Sequence, residues 1–239
     1  MAHPRRAPVT SSAQTRAIHA LRRTLGMTET DYRGLLKARF RVVSSSDLNE
    51  AQAGALIEEL KGGAPRVSGR SPAKTASGKY APVLQALWIS GYQLGVVHSR
   101  DDAAMLAFVE RQTGLPHTRF LNDPADAARA IEGLKAWLAR EAEIIWPNQR
   151  DADDEGRDLA WLRAREVTRA LSLRLQTAGG FKPFLKDGSV WPEDICAYGY
   201  RRGLPGGFHH YAIEDWRRLT AWLGARLRAA LAKQKEGQQ

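Results

Sequence analysis

The chain punctuates its helices in the same way twice, and this repetition most restricts what it can fold into. An apolar series at Ile18, Leu21 and Leu25 follows the i, i+3, i+7 spacing of one helix face. It stops at Gly26, where a helix C-terminal cap belongs. Thr28 and Asp31 then form a capping-box pattern, opening a helix with Tyr32, Leu35, Leu36 and Phe40 on one side. Asp47 and Glu50 begin a third helix, with Leu48, Ala51, Ala55, Leu56 and Leu60 available to a core.

The same plan returns further along. A helix from about Pro82 ends at Leu94-Gly95, and Ser99 with Asp102 repeats the capping box. Phe108 and Arg111 stand where Leu36 and Arg39 stood, and Gly114 stops that helix. Asp123-Pro124 is an N-cap followed by proline at the first helical position. The stretch Ala130 to Lys135 then answers Leu56 to Lys61. The pattern predicts two similar three-helix units, each near the lower size limit for independent stability, so they are expected to pack together or form a homodimer.

Between them, Gly62 to Lys79 is rich in Gly, Pro, Ser and Ala and carries Arg66, Arg70, Lys74 and Lys79 without an acid or an aromatic before Tyr80. Such a composition predicts a flexible basic linker. The expected organisation is an N-terminal basic three-helix unit over 1–61, the linker over 62–79, a second unit over 80–146, and a helical C-terminal region over 147–239. In that last region a long helix is expected from about Asp154 to Gln176. A short β-hairpin would turn at Lys186 to Ser189 between Phe184-Leu185 and Val190-Trp191. Pro192, Glu193 and Asp194 open a short helix, and Ala212 to Lys233 reads as a final amphipathic one. The fold class is mainly α.

Charge narrows the function. The net charge is +10. Residues 1–80 hold 14 cations against 6 acids and so carry +8 of it. A local excess of this kind predicts a polyanion-binding surface, although an arginine-rich proteome would also raise the count. Arg33, Lys37 and Arg41 are four apart, which aligns them on a helix away from its apolar side, and Arg16, Arg22 and Arg23 extend the set. DNA phosphates would attract such a row through counterion release without any base contact. The plainer meaning of the same pattern is a solvated helix face. With the four linker cations these make ten candidate DNA-binding residues: Arg16, Arg22, Arg23, Arg33, Lys37, Arg41, Arg66, Arg70, Lys74 and Lys79.

Other constellations point to no chemistry. His209-His210 has no third ligand at a metal-binding interval, since Cys196 stands alone and distant. The acidic run Asp151 to Glu155 suits a helix N-terminus. Most of the tryptophans sit among helical apolar positions and read as core, with stacking on single-stranded bases as the alternative. No phosphate loop, nuclease or recombinase signature is present, so no catalytic residue, metal or cofactor is expected. One cysteine, no export signal and no apolar run of roughly 18–20 residues predict a cytoplasmic, non-membrane protein.

Several stretches together resemble the GemA regulatory proteins of Mu-like phages and prophages. They are Ala17 to Ala20, Leu25 to Thr28, Asp31 to Leu36, Ser46 to Leu48, Leu87 to Ile89, Leu94 to Val97, Phe108 to Gly114 and Ile131 to Trp137. The resemblance spans about residues 13–141. It implies a phage-encoded, non-enzymatic modulator of host gene expression and DNA supercoiling, with DNA and host gyrase or transcription machinery as partners in a bacterial cytoplasm. An adapter that acts on a topoisomerase without touching DNA is the alternative reading. Residues 142–239 lie outside the resemblance.

Overall fold

The computed structural model of the chain describes residues 10–62, 75–183 and 190–236. These contain ten α-helices, three 3₁₀ turns and no strand. The Phe184 to Ser189 portion of the expected hairpin lies outside the described residues, as do the linker cations Arg66, Arg70 and Lys74. The chain gathers into two compact units, Met1–Ala86 with Asp101–Gly133, and Leu87–Arg100 with Leu134–Gln239.

The first unit begins with α1 (Ser12–Thr24) and α2 (Glu29–Phe40), followed by a 3₁₀ turn at Ser45–Asp47 and α3 (Glu50–Gly62). The same succession follows in α4 (Ala81–Gln93), α5 (Asp102–Thr113), a 3₁₀ turn at Thr118–Phe120 and α6 (Pro124–Ala142). The division into units falls inside α4 and α6.

Local signals explain most of these boundaries. Thr28 and Asp31 close the expected capping box on α2, and Ser11 with Gln14 does the same on α1. Asn49 and Gln52 exchange backbone-to-side-chain bonds of 2.8 and 3.0 Å, so the third helix starts at Glu50 and not at Asp47. Gly26 and Gly114 take positive φ of 61° and 76° after α1 and α5, the left-handed turn that glycine adopts without steric cost.

The expected Ser99–Asp102 box does not form. The Asp102 carboxylate instead accepts from the Ala76 amide at 2.8 Å and from Gln85 at 3.1 Å, and Asp101 takes the N-cap position without capping the helix through its side chain. A tertiary donor outcompetes the local one here.

Ile18, Leu25, Leu35, Leu36, Leu56 and Leu60 are fully buried in the first unit, where α1 packs on α3. Each such side chain contributes about 1.5–3 kcal/mol of burial, and Leu56→Ala would cost about 2–5 kcal/mol. Arg119 is buried too, donating to the Leu25 carbonyl at 3.3 Å and so supporting the C-terminal end of α1. Burial holds its guanidinium below the usual arginine range, with Asp31 pulling the other way.

The second unit adds α7 (Gln149–Glu155), α8 (Leu159–Thr177), α9 (Glu193–Tyr200), a 3₁₀ turn at Phe208–His210 and α10 (Ile213–Glu236). The acidic run therefore lies within α7, whose N-terminus is boxed by Asn148 and Asp151. Gly156, at φ 60°, ends that helix, so the long helix expected from Asp154 begins only at Leu159. α8 packs on α10 through Leu162, Leu171, Leu219 and Leu223, with Thr168 and Thr220 hydroxyls 3.0 Å apart. Trp191, Phe208, Tyr211, Trp161 and Trp216 form one aromatic cluster, and the Trp161 indole donates to the Tyr211 carbonyl at 2.8 Å. His209 and His210 are exposed on the turn beside it.

Candidate nucleic-acid interface

Only some of the cations of the first unit are available to a ligand. Arg39 is engaged inside the protein, donating to Glu59 at 2.9 Å, to the Asp126 carboxylate and to the Phe120 carbonyl at 3.0 Å. Asp126 is nearly buried and also pairs with Arg129. Burial pushes the Glu59 carboxyl above its ordinary range, and Arg39 offsets only part of that. This network ties α2 and α3 to α6 and serves the fold.

Arg22 and Arg33 share one partner. Glu29, the first residue of α2, meets Arg22 at 2.6 Å and Arg33 at 2.8 Å. The two arginines hold its carboxyl below the usual range, Arg33 foremost. The Arg22 guanidinium also lies 4.8 Å over the Tyr32 ring.

Arg16, Arg23, Lys37 and Arg41 are exposed, and among the described residues they face no carboxylate within ion-pair distance. Among the described residues Arg16 and Arg23 bond only to backbone carbonyls of their own helix, Ser12 at 3.3 Å and His19 at 3.4 Å. Arg41 does not extend the helical row begun by Arg33 and Lys37. α2 ends at Phe40, and Arg41 is its cap in the left-handed conformation, φ 57° and ψ 29°. Lys79 is exposed, with its ammonium 5.1 Å over the Tyr80 ring.

Arg22 and Arg33 also line a cleft of about 340 Å³ together with Thr15, His19, Glu29, Tyr32 and Val43 to Ser46. Ser44 and Ser46 hydroxyls stand 2.8 Å apart on its rim. The Tyr32 hydroxyl is buried and among the described residues has no partner in hydrogen-bonding geometry; burial pushes its phenol up, the nearby Ser45 hydroxyl and Arg22 offsetting only part of that. Sequence reasoning missed this cleft. Its signals were the Ser44-Ser45-Ser46 run and the four-residue Glu29–Arg33 spacing, neither of which shows that the two segments meet.

Separate exposed cations and a hydroxyl-lined cationic cleft are groups of the kind that can contact phosphate oxygens. Among the described residues no group of His, Cys, Asp and Glu is placed to hold a metal ion, and no helix is long and apolar enough to cross a membrane. Residues 27–140 match the family described as "Bacteriophage Mu, GemA protein". No curated protein and no solved structure matches the chain.

Proposed function

The chain belongs, through residues 27–140, to the GemA family, and from that premise we propose that it is a non-enzymatic phage regulator that associates with DNA without sequence preference. The observation that carries this reading is the contrast among cations. Lys61, Arg129, Arg140, Arg150 and Arg217 each sit beside a carboxylate. Arg16, Arg23, Lys37 and Arg41 do not, and they belong to the third of the chain that holds +8 of the net charge. Uncompensated cations are the ones that release counterions when they meet a phosphate backbone. Such contacts position a protein on the duplex and leave its sequence unread. A regulator of expression or supercoiling needs that property more than it needs a catalytic centre.

Fluorescence anisotropy with two unrelated labelled duplexes, titrated across salt, tests the reading. Similar affinities on both duplexes and a steep linear fall of log affinity with log salt support it. Absence of binding at about 50 mM salt would replace it with a protein adapter acting on a host topoisomerase or transcription component.

A further inference from the structure

We propose that the cleft between α1, the N-terminus of α2 and the Ser44–Ser46 turn is a phosphate seat, occupied in the unbound protein by the protein's own Glu29 carboxylate. The inference deepens the DNA reading, and it rests on that reading for the source of the phosphate, a backbone phosphodiester.

Four independent features converge on the seat. Glu29 places two carboxylate oxygens against two guanidinium groups, Oε2 on Arg22 at 2.6 Å and Oε1 on Arg33 at 2.8 Å. A phosphate presents the same pair of anionic oxygens at similar spacing, and arginine forks recognise both. The Tyr32 side chain is only 4% exposed, yet among the described residues its hydroxyl has no hydrogen-bond partner while lining the cleft. A buried hydroxyl in that condition costs free energy that an incoming acceptor would recover. Ser44, Ser46 and Thr15 hydroxyls and the His19 imidazole complete a wall of groups able to donate. Finally, the seat adjoins the first turn of a twelve-residue helix, whose N-terminal end favours an anion.

Glu29 is suited to yield. Its side chain is 54% exposed, so it can swing into water without burying its charge. Exposed ion pairs of this type are weak, so phosphate contacts to the same two arginines can displace the carboxylate. The glutamate then acts as an internal competitor that keeps the seat selective for ligands able to engage both arginines at once.

The test uses the full chain, ¹⁵N-labelled, titrated first with inorganic phosphate and then with a short duplex DNA. Phosphate should shift the Ser44–Ser46 amides and the Arg22 and Arg33 side-chain signals. Glu29→Gln should tighten phosphate binding about two- to fivefold, because the competing ion pair is gone. Tyr32→Phe should weaken it about tenfold through loss of one hydrogen bond to a charged ligand. That variant removes an unbonded hydroxyl and leaves the ring, so it should remain folded. Arg33→Gln, at an exposed position, should weaken binding as well. Glu29→Gln binding no tighter than wild type, or phosphate shifts confined to other residues, overturns the seat.

The duplex arm separates the two claims. DNA binding that ignores Glu29→Gln and Tyr32→Phe but collapses on reversal of Lys37 and Arg41 removes the seat and leaves the DNA reading standing. Phosphate binding that follows the predicted variants in a protein with no affinity for DNA upholds the seat and removes the DNA reading.

Discussion

Arg39 and Asp126 are separated by 87 residues of sequence and joined by a direct charged hydrogen bond. The pair connects the first run of helices to α6 inside one compact unit, with Glu59 and the Phe120 carbonyl taking the remaining guanidinium donors. A cation that counts toward the basic excess is thereby committed to structure.

Removing it should be costly. Arg39→Met would leave the Glu59 and Asp126 carboxylates half-buried or buried, with only Arg129 still near Asp126. Breaking one side of a buried pair costs about 3–5 kcal/mol, and the 21% exposure of the Arg39 side chain places this case near the lower figure. Urea unfolding followed by circular dichroism measures it. A loss under about 1 kcal/mol would show the network to be no more than a surface pair.

Glu59 gives this network a pH signature. Its folded carboxyl is raised, burial outweighing the attraction of Arg39, so the folded state binds that proton more tightly than the unfolded chain. The stability it contributes is complete below the unfolded value of about 4.5 and is lost as pH rises through the higher folded value. Glu59→Gln should therefore look more damaging at pH 4 than at pH 7 when each is compared with wild type at the same pH. Equal differences at both would mean that Arg39 fully offsets the burial.

Tyr211 should be the last tyrosine to ionise. Burial pushes its phenol up to about 12, with Cys196 and Asp215 adding to the effect, and among the described residues its hydroxyl has no hydrogen-bond partner. An ultraviolet titration should show a late component to which the buried Tyr32 and Tyr211 contribute, and Tyr211→Phe should remove its last part. Because the folded value lies above the unfolded 10, the contribution to stability is present below pH 10 and is lost as pH climbs toward 12.

Helix starts and stops were legible in the sequence wherever they depend on neighbours. Thr28 with Asp31, and the positive-φ glycines at 26, 95 and 114, are of this kind. One signal failed where a distant group won, as Asp102 turned from its cap to the Ala76 amide. Another was local and passed over: Gly156, a positive-φ cap like those at 26 and 114, splits one expected helix into α7 and α8. The candidate site was legible as charge but not as geometry. Nothing in the order of residues says that Glu29 holds Arg22 and Arg33 together or that Arg39 faces inward, because those facts depend on how α1, α3 and α6 meet α2.

Arg41 offers the sharpest separation of function from fold. It caps α2 at φ 57° and ψ 29°, a conformation that costs a residue with a side chain about 1–2 kcal/mol and glycine almost nothing. Glycine also gains freedom in the unfolded chain, which takes back about 0.4–1 kcal/mol. Arg41→Gly should thus stabilise the protein by about 0.5–1 kcal/mol. The same change removes one exposed cation that faces no carboxylate, so the slope of log affinity against log salt should flatten by about 0.9 if Arg41 meets a phosphate. Adding Arg23→Gln and Lys37→Gln, which alter exposed positions and leave the apolar side of each helix intact, should bring the total flattening to about 2.7, equally on unrelated duplexes. Denaturant unfolding and salt-dependent anisotropy on the same preparations give both numbers. A more stable Arg41→Gly protein with unchanged affinity and slope would mean that the strained cap serves neither the fold nor DNA, and would remove Arg41 from the interface.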